Sequence, residues 1–184
     1  MEFNGILTGI VFIPIIAALV ILMLSKEQKQ EARVIAAGAT LASLMLGGFV
    51  FLTYDVEAAN SFNEQNAANP DGELYFDFQD QVQWIEEIGI SYHLGVDGLT
   101  AAMIFLTGLA SFAGVMISWK IDDRTREFMA FFLLLVAGVY GVFVSVDLFL
   151  LFFFYELSIF PMYFLIAGWG WVDLREYAAM KLTL

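Results

Sequence analysis

Long apolar runs alternate along this chain with short charged stretches. Five of them, Ile6 to Leu24, Val34 to Tyr54, Leu99 to Trp119, Phe128 to Val146 and Leu148 to Ile166, each match the roughly 20 residues that a helix needs to cross a hydrocarbon core about 30 Å thick. From Phe128 to Trp171 only Asp147 and Glu156 are charged, so this stretch is too long for one crossing and must turn back near Asp147. Helices are the form expected, because irregular backbone facing lipid leaves amides and carbonyls unpaired. The first run has no basic residue before it, Lys26 being the first, which predicts a retained span rather than a cleaved signal. A sixth apolar run opens around Ala178 to Leu184, where the sequence stops, as expected of the front part of a larger protein. The pattern predicts an all-α, polytopic transmembrane helix bundle: one membrane domain over residues 1–184, with five full spans and the start of a sixth.

Charge orients this bundle. All eight basic residues, Lys26, Lys29, Arg33, Lys120, Arg124, Arg126, Arg175 and Lys181, fall on one side of the alternation. The positive-inside rule makes that side cytoplasmic and puts the amino terminus outside an inner membrane. Ten of the twenty carboxylates lie in residues 55–97, an extracytoplasmic acidic loop whose polar first half is expected to be mobile. Its second half, with Phe76, Phe78, Trp84 and Ile85, is expected to pack on the membrane surface. Sixty per cent of the residues are hydrophobic and 15% charged, against about a quarter charged in soluble domains. The absence of cysteine excludes disulfides, thiolate chemistry and cysteine-held iron–sulfur clusters. No nucleic-acid partner is expected; lipid is.

Glu156 is the one ionisable residue deep inside a span. It lies nine residues from Asp147, about 13 Å along a helix, and an intramembrane carboxylate is a candidate proton carrier by virtue of its cost. Pro161, five residues on, is expected to bend or open the helix beside it and admit water. Helical spacing sets Phe152, Phe153, Ile159, Phe160 and Tyr163 on or near the same face, Tyr163 alone offering a polar group. Asp147 is rotated about 180° from Glu156 on an ideal helix and reads as an N-cap, as does Asp97. His93, the only histidine, has no second ligand in sequence reach and is not expected to bind metal. Lys181 either snorkels to the interface or begins a buried line of charge.

From Trp84-Ile85 onward the chain closely resembles subunit M, chain 4, of respiratory complex I. The residues that carry the resemblance are Gly89-Ile90-Ser91-Tyr92-His93-Leu94-Gly95-Val96-Asp97-Gly98-Leu99-Thr100, Ser118-Trp119, Gly141-Val142-Phe143, Asp147-Leu148-Phe149, Tyr155-Glu156-Leu157, Pro161-Met162-Tyr163-Phe164-Leu165-Ile166 and Trp169-Gly170. The resemblance implies an antiporter-like membrane subunit that moves protons while partner subunits carry NADH, FMN, iron–sulfur clusters and quinone, with no cofactor in this chain. It further implies that Glu156 matches a glutamate coupled to a lysine on a later helix, and that Lys181 matches a lysine opening the sixth helix. The family has about fourteen helices, so this chain would lack the central lysine and the exit half of the path. A subunit of an Mrp-type Na⁺/H⁺ antiporter or membrane-bound hydrogenase would share Glu156, and a non-transporting structural fragment would share the spans; both readings stay open.

Overall fold

The computed structural model describes residues 5–66, 75–85 and 89–183. In chain order the elements are α1 (Ile6–Met23), α2 (Lys29–Thr53), α3 (Val56–Asn66), β1 (Asp77–Ile85), β2 (Ile90–Val96), α4 (Gly98–Ile117), α5 (Thr125–Val144), α6 (Leu148–Trp169) and α7 (Arg175–Thr183). Helices α1, α2, α4, α5 and α6 are long and apolar enough to cross a membrane, and they coincide with the five expected spans to within a few residues at each end. Helix α7 is a nine-residue helix over the stretch where a sixth span is expected to begin.

Helix α5 sits at the centre. Eleven of its residues are buried, against four in α6, so α6 is a peripheral helix with one face on α5 and the other turned away. One core layer joins Leu7, Ile10 and Val11 of α1 to Ile104 of α4, Tyr140 and Val144 of α5 and Phe154 of α6. A second, nearer the basic end, joins Ala17, Ala18 and Ile21 to Ala32, Ala36, Val115, Met129 and Leu133. Between apolar helices in lipid, close backbone approach supplies the attraction that burial supplies in water, and small residues permit it. A Cβ on Gly138 would stand 2.8 Å from the Ser158 Cα, one on Gly141 would enter the Phe154 ring, and one on Gly108 would stand 2.9 Å from the Leu44 Cα.

The acidic loop departs from an all-α reading. Its early part is helix α3, and its later part is an antiparallel hairpin in which β1 pairs with β2, Gln81 opposite His93 and Val82 opposite Tyr92. Residues 67–74 of the stretch expected to be mobile lie outside the described residues. The hairpin packs on the helix ends: Leu94 and Val96 are fully buried, and the Val146 amide donates to the His93 carbonyl at 3.0 Å. The physical reason is polar. The α5–α6 turn and the first turn of α1 leave backbone groups that the hairpin satisfies. Asp80, fully buried, accepts from the Gly5 amide at 2.7 Å, the Thr8 amide at 3.0 Å and the Thr8 hydroxyl at 2.7 Å. Gly5, at φ 68°, turns the chain into α1 without a side-chain cap of its own, and Asp80 caps the helix from the hairpin.

Candidate functional site: a carboxylate on the open face of α6

Asp147 begins α6 as expected. Its Oδ1 accepts from the amides of Phe149 at 2.9 Å and Leu150 at 3.2 Å, and Asp97 caps α4 through the Thr100 amide at 2.7 Å. With α6 started at Asp147, Phe154, Ser158 and Pro161 turn inward and are buried. Glu156 therefore turns outward and is exposed on the bundle surface. It lines an open cavity of about 450 Å³ with Ile159, Phe160, Tyr163 and Phe164. Ile159, Phe160 and Tyr163 thus share a site with Glu156 as the spacing implied. Phe153 instead lines an apolar cavity of about 420 Å³ with Phe12 and Leu134.

One expectation about this helix needs correction: Pro161 does not open it, since α6 runs unbroken from Leu148 to Trp169 with Pro161 on its buried side. Glu156, deep along the span, is exposed within this chain, because the bundle lies on the opposite face of α6. Among the described residues its carboxylate makes no hydrogen bond or ion pair. Lys181 forms no ion pair with it; its Nζ stands 5.5 Å from the Tyr177 ring centroid on α7.

His93 is accounted for by the hairpin. The Gln79 amide donates to the Phe76 carbonyl at 3.0 Å, which leaves its Oε1 to accept from His93 Nε2 at 3.1 Å. Burial holds the imidazole below its ordinary value, opposed by the nearby Asp147. Among the described residues no group of three metal-ligating side chains assembles.

The basic residues do more than orient the chain. Arg33, its side chain 12% exposed, donates to the Ile121 carbonyl at 3.1 Å and pairs with Asp122 at 2.7 Å. Arg126 donates to the Leu24 carbonyl at 2.9 Å, and Arg124 to the Gly168 carbonyl at 3.2 Å. Each places a cation on carbonyls at or near the end of a helix, where the macrodipole favours it. Neither these clamps nor the Asp80 cap was visible in hydropathy, since both join segments far apart in sequence.

No protein-family model matches the chain. It is 39% identical over 182 residues to NADH-quinone oxidoreductase subunit M of Pseudomonas aeruginosa, covering 96% of this chain and 34% of that one. It is 33% identical over 179 residues to NAD(P)H-quinone oxidoreductase chain 4-2 of Synechocystis sp., covering 97% of this chain and 29% of that one. The chain is a homologue of subunit M, chain 4, of the quinone oxidoreductases. It spans about a third of the length of these relatives. To subunit M of Escherichia coli the identity is 44% over 107 residues, 58% of this chain and 20% of that subunit. Two solved structures share the fold, each with a TM-score of 0.67. Respiratory complex I from Thermus thermophilus with bound NADH matches at 20% identity over 95% of this chain and 31% of the other. A membrane-bound sulfane sulfur reductase, an archaeal respiratory membrane complex, matches at 19% over 98% and 34%. The carboxylate that hydropathy singles out stands on the helix face that the bundle leaves open.

Proposed function

We propose that this chain belongs to a proton-translocating, antiporter-like membrane subunit of an NADH:quinone oxidoreductase and that Glu156 is a proton-carrying group. The observation that carries the reading is the position of Glu156: mid-span, in a cavity otherwise apolar but for Tyr163, with no partner among the described residues. A carboxylate at that depth cannot stay ionised against lipid at an acceptable cost. It needs either a proton or an adjacent cation. Low dielectric favours the acid and a cation within about 4 to 6 Å favours the carboxylate, so a lysine that approaches and withdraws makes Glu156 release and take up a proton. The outward face of α6 leaves room for that cation to come from protein outside these five spans. Lys181, opening α7, remains a candidate for the line of charge, and Tyr163 for a water-chain neighbour. The redox cofactors, NADH, FMN, iron–sulfur clusters and quinone, belong to partner subunits in this reading. The basic end faces the cytoplasm and the hairpin the outside. The likeness to the sulfane sulfur reductase supports a second reading, a subunit of a related ion-translocating complex, which shares Glu156 and differs in its partners.

Glu156→Gln keeps size and hydrogen bonding but cannot titrate. It is expected to assemble normally and to lower proton pumping sharply, with coupled NADH:quinone turnover falling too; Glu156→Asp retains part of both. Pumping and assembled-complex yield are measured side by side in membranes carrying each variant. Normal pumping in an assembled Glu156→Gln complex refutes the proposal, and loss of assembly with pumping per assembled complex unchanged assigns Glu156 a structural role.

A further inference from the structure

At the basic end of the bundle, the start of α5, the end of α6 and the start of α7 enclose a cavity of about 330 Å³, lined among others by Arg124, Glu127, Trp169 and Arg175. What each charge already holds makes the cavity cationic. Glu127 is engaged by Arg126 at 2.8 Å. The Arg124 guanidinium lies 4.6 Å from the Trp169 ring centroid and donates to the Gly168 carbonyl at 3.2 Å. Trp169 in turn donates from Nε1 to the Asp123 carbonyl at 2.8 Å, so the ring on which Arg124 rests is itself fixed. Arg124 Nε stands 3.5 Å from the Asp123 carboxylate, which is 74% exposed, a contact that water weakens. The Arg175 guanidinium has no hydrogen bond or ion pair among the described residues. A guanidinium carries five N–H groups in a fixed fork, so two forks keep most of their donors free beside one cavity.

The second observation is where this cavity lies. Phe164 borders both it and the cavity of Glu156, so one continuous strip of α6 carries a lone carboxylate mid-span and two cations at its basic end. Glu156 and Trp169 are about 20 Å apart along the helix axis. On the reading that further protein brings a cation to Glu156, that protein lies on this strip. A lipid tail beside Glu156 supplies no cation, and protein is therefore the occupant that the strip favours. Guanidinium groups that lose water under such a cover without gaining an anion are strongly unfavourable, so the cover has to answer them.

We propose that the cavity is a docking socket for a carboxylate of that protein, an aspartate or glutamate side chain seated between Arg124 and Arg175. Fork-shaped donors match a carboxylate two bonds at a time. The surface complementary to α6 then carries two charges of opposite sign, a cation at the depth of Glu156 and a carboxylate about 20 Å nearer the basic end. Opposite pairs at two depths fix the register of the contact, because a slide of one helical turn breaks both. The socket rests on the reading that protein covers the α6 face and goes beyond it in naming what that protein presents here.

Arg175→Lys keeps the charge and offers a primary amine, which a carbodiimide joins without a spacer to a carboxylate in contact with it. The reaction is run on the assembled complex in native membranes, and the joined peptides are sequenced by mass spectrometry. Arg33→Lys is the positive control, since Arg33 pairs with Asp122 at 2.7 Å. The expected product joins position 175 to an aspartate or glutamate outside residues 1–184, and Arg124→Lys yields the same partner residue. In parallel, a photoreactive phenylalanine analogue at Phe160 reports what covers the Glu156 cavity. Phe160 joined to protein while neither amine finds an outside carboxylate overturns the socket and leaves the covering of α6 standing. Phe160 joined to lipid overturns both. Amines joined only to Glu127 or Glu176 show that the arginines are answered within the chain, and this too overturns the socket. Should Arg175→Lys not assemble, the Arg124→Lys arm decides.

Discussion

Asp80 shows how one side chain binds a distant strand to a helix. It is the only fully buried charged residue among those described, and its three hydrogen bonds all go to the first turn of α1. Because the Thr8 hydroxyl proton points to Asp80, the Tyr92 hydroxyl donates to Thr8 Oγ1, at 3.1 Å, so both strands are tied to one turn. Asp80→Ala leaves the Gly5 and Thr8 amides unsatisfied and is expected to cost about 3 kcal/mol; Thr8→Val, which keeps the amide bond, is expected to cost about 1 kcal/mol. Thermal unfolding in detergent checks the order, and equal melting of the two variants contradicts it. His93 adds a pH dependence of known sign. Burial lowers its folded-state value, so as pH falls the unfolded state takes the proton first, and stability drops. The contribution is complete above the unfolded value of about 6.5 and is lost as pH falls through the folded value. His93→Gln should flatten this part of the melting curve between about pH 7 and 5; an unchanged slope rules the histidine out as its source.

Helix packing turns on which glycines face a neighbour, and sequence cannot tell them apart. Gly38, in α2, has open space where a Cβ would go, whereas Gly138, in α5, has the Ser158 backbone 2.8 Å away. Gly38→Ala should therefore be neutral or stabilise by up to about 1 kcal/mol through helix propensity. Gly138→Ala should destabilise by about 1 to 3 kcal/mol by forcing α5 and α6 apart. The paired melting temperatures give the answer, and a Gly138→Ala protein as stable as the parent removes close approach as the basis of the α5–α6 contact. The hairpin is the element that hydropathy misjudged, for a reason on the page. In β2 the apolar residues Ile90, Tyr92, Leu94 and Val96 alternate along the strand, with Leu94 and Val96 buried. In β1 the buried position is Asp80, while Val82 is 42% exposed. A strand that buries its charge and exposes its valine inverts the pattern by which strands are recognised.

At the scale of the whole molecule, all the basic residues gather at one end of the bundle and the hairpin and α3 at the other. A single cysteine at Asn60, exposed on α3, should react with an impermeant thiol reagent on intact cells, and one at Glu27, exposed between α1 and α2, should not. Labelling at Glu27 alone reverses the orientation. What the sequence determined by itself was everything that depends on solvent. Five spans, their hairpin at Asp147, the caps at Asp97 and Asp147 and the depth of Glu156 all follow from the length of apolar runs and the cost of charge in hydrocarbon. What only the tertiary structure decided was direction about each helix axis. The spans are apolar nearly all round, so periodicity carries little information about which face meets a neighbour. It took the packing of α6 on α5, through Gly138 and Gly141, to bury Phe154 and Ser158. The same packing turns Glu156 away from the bundle.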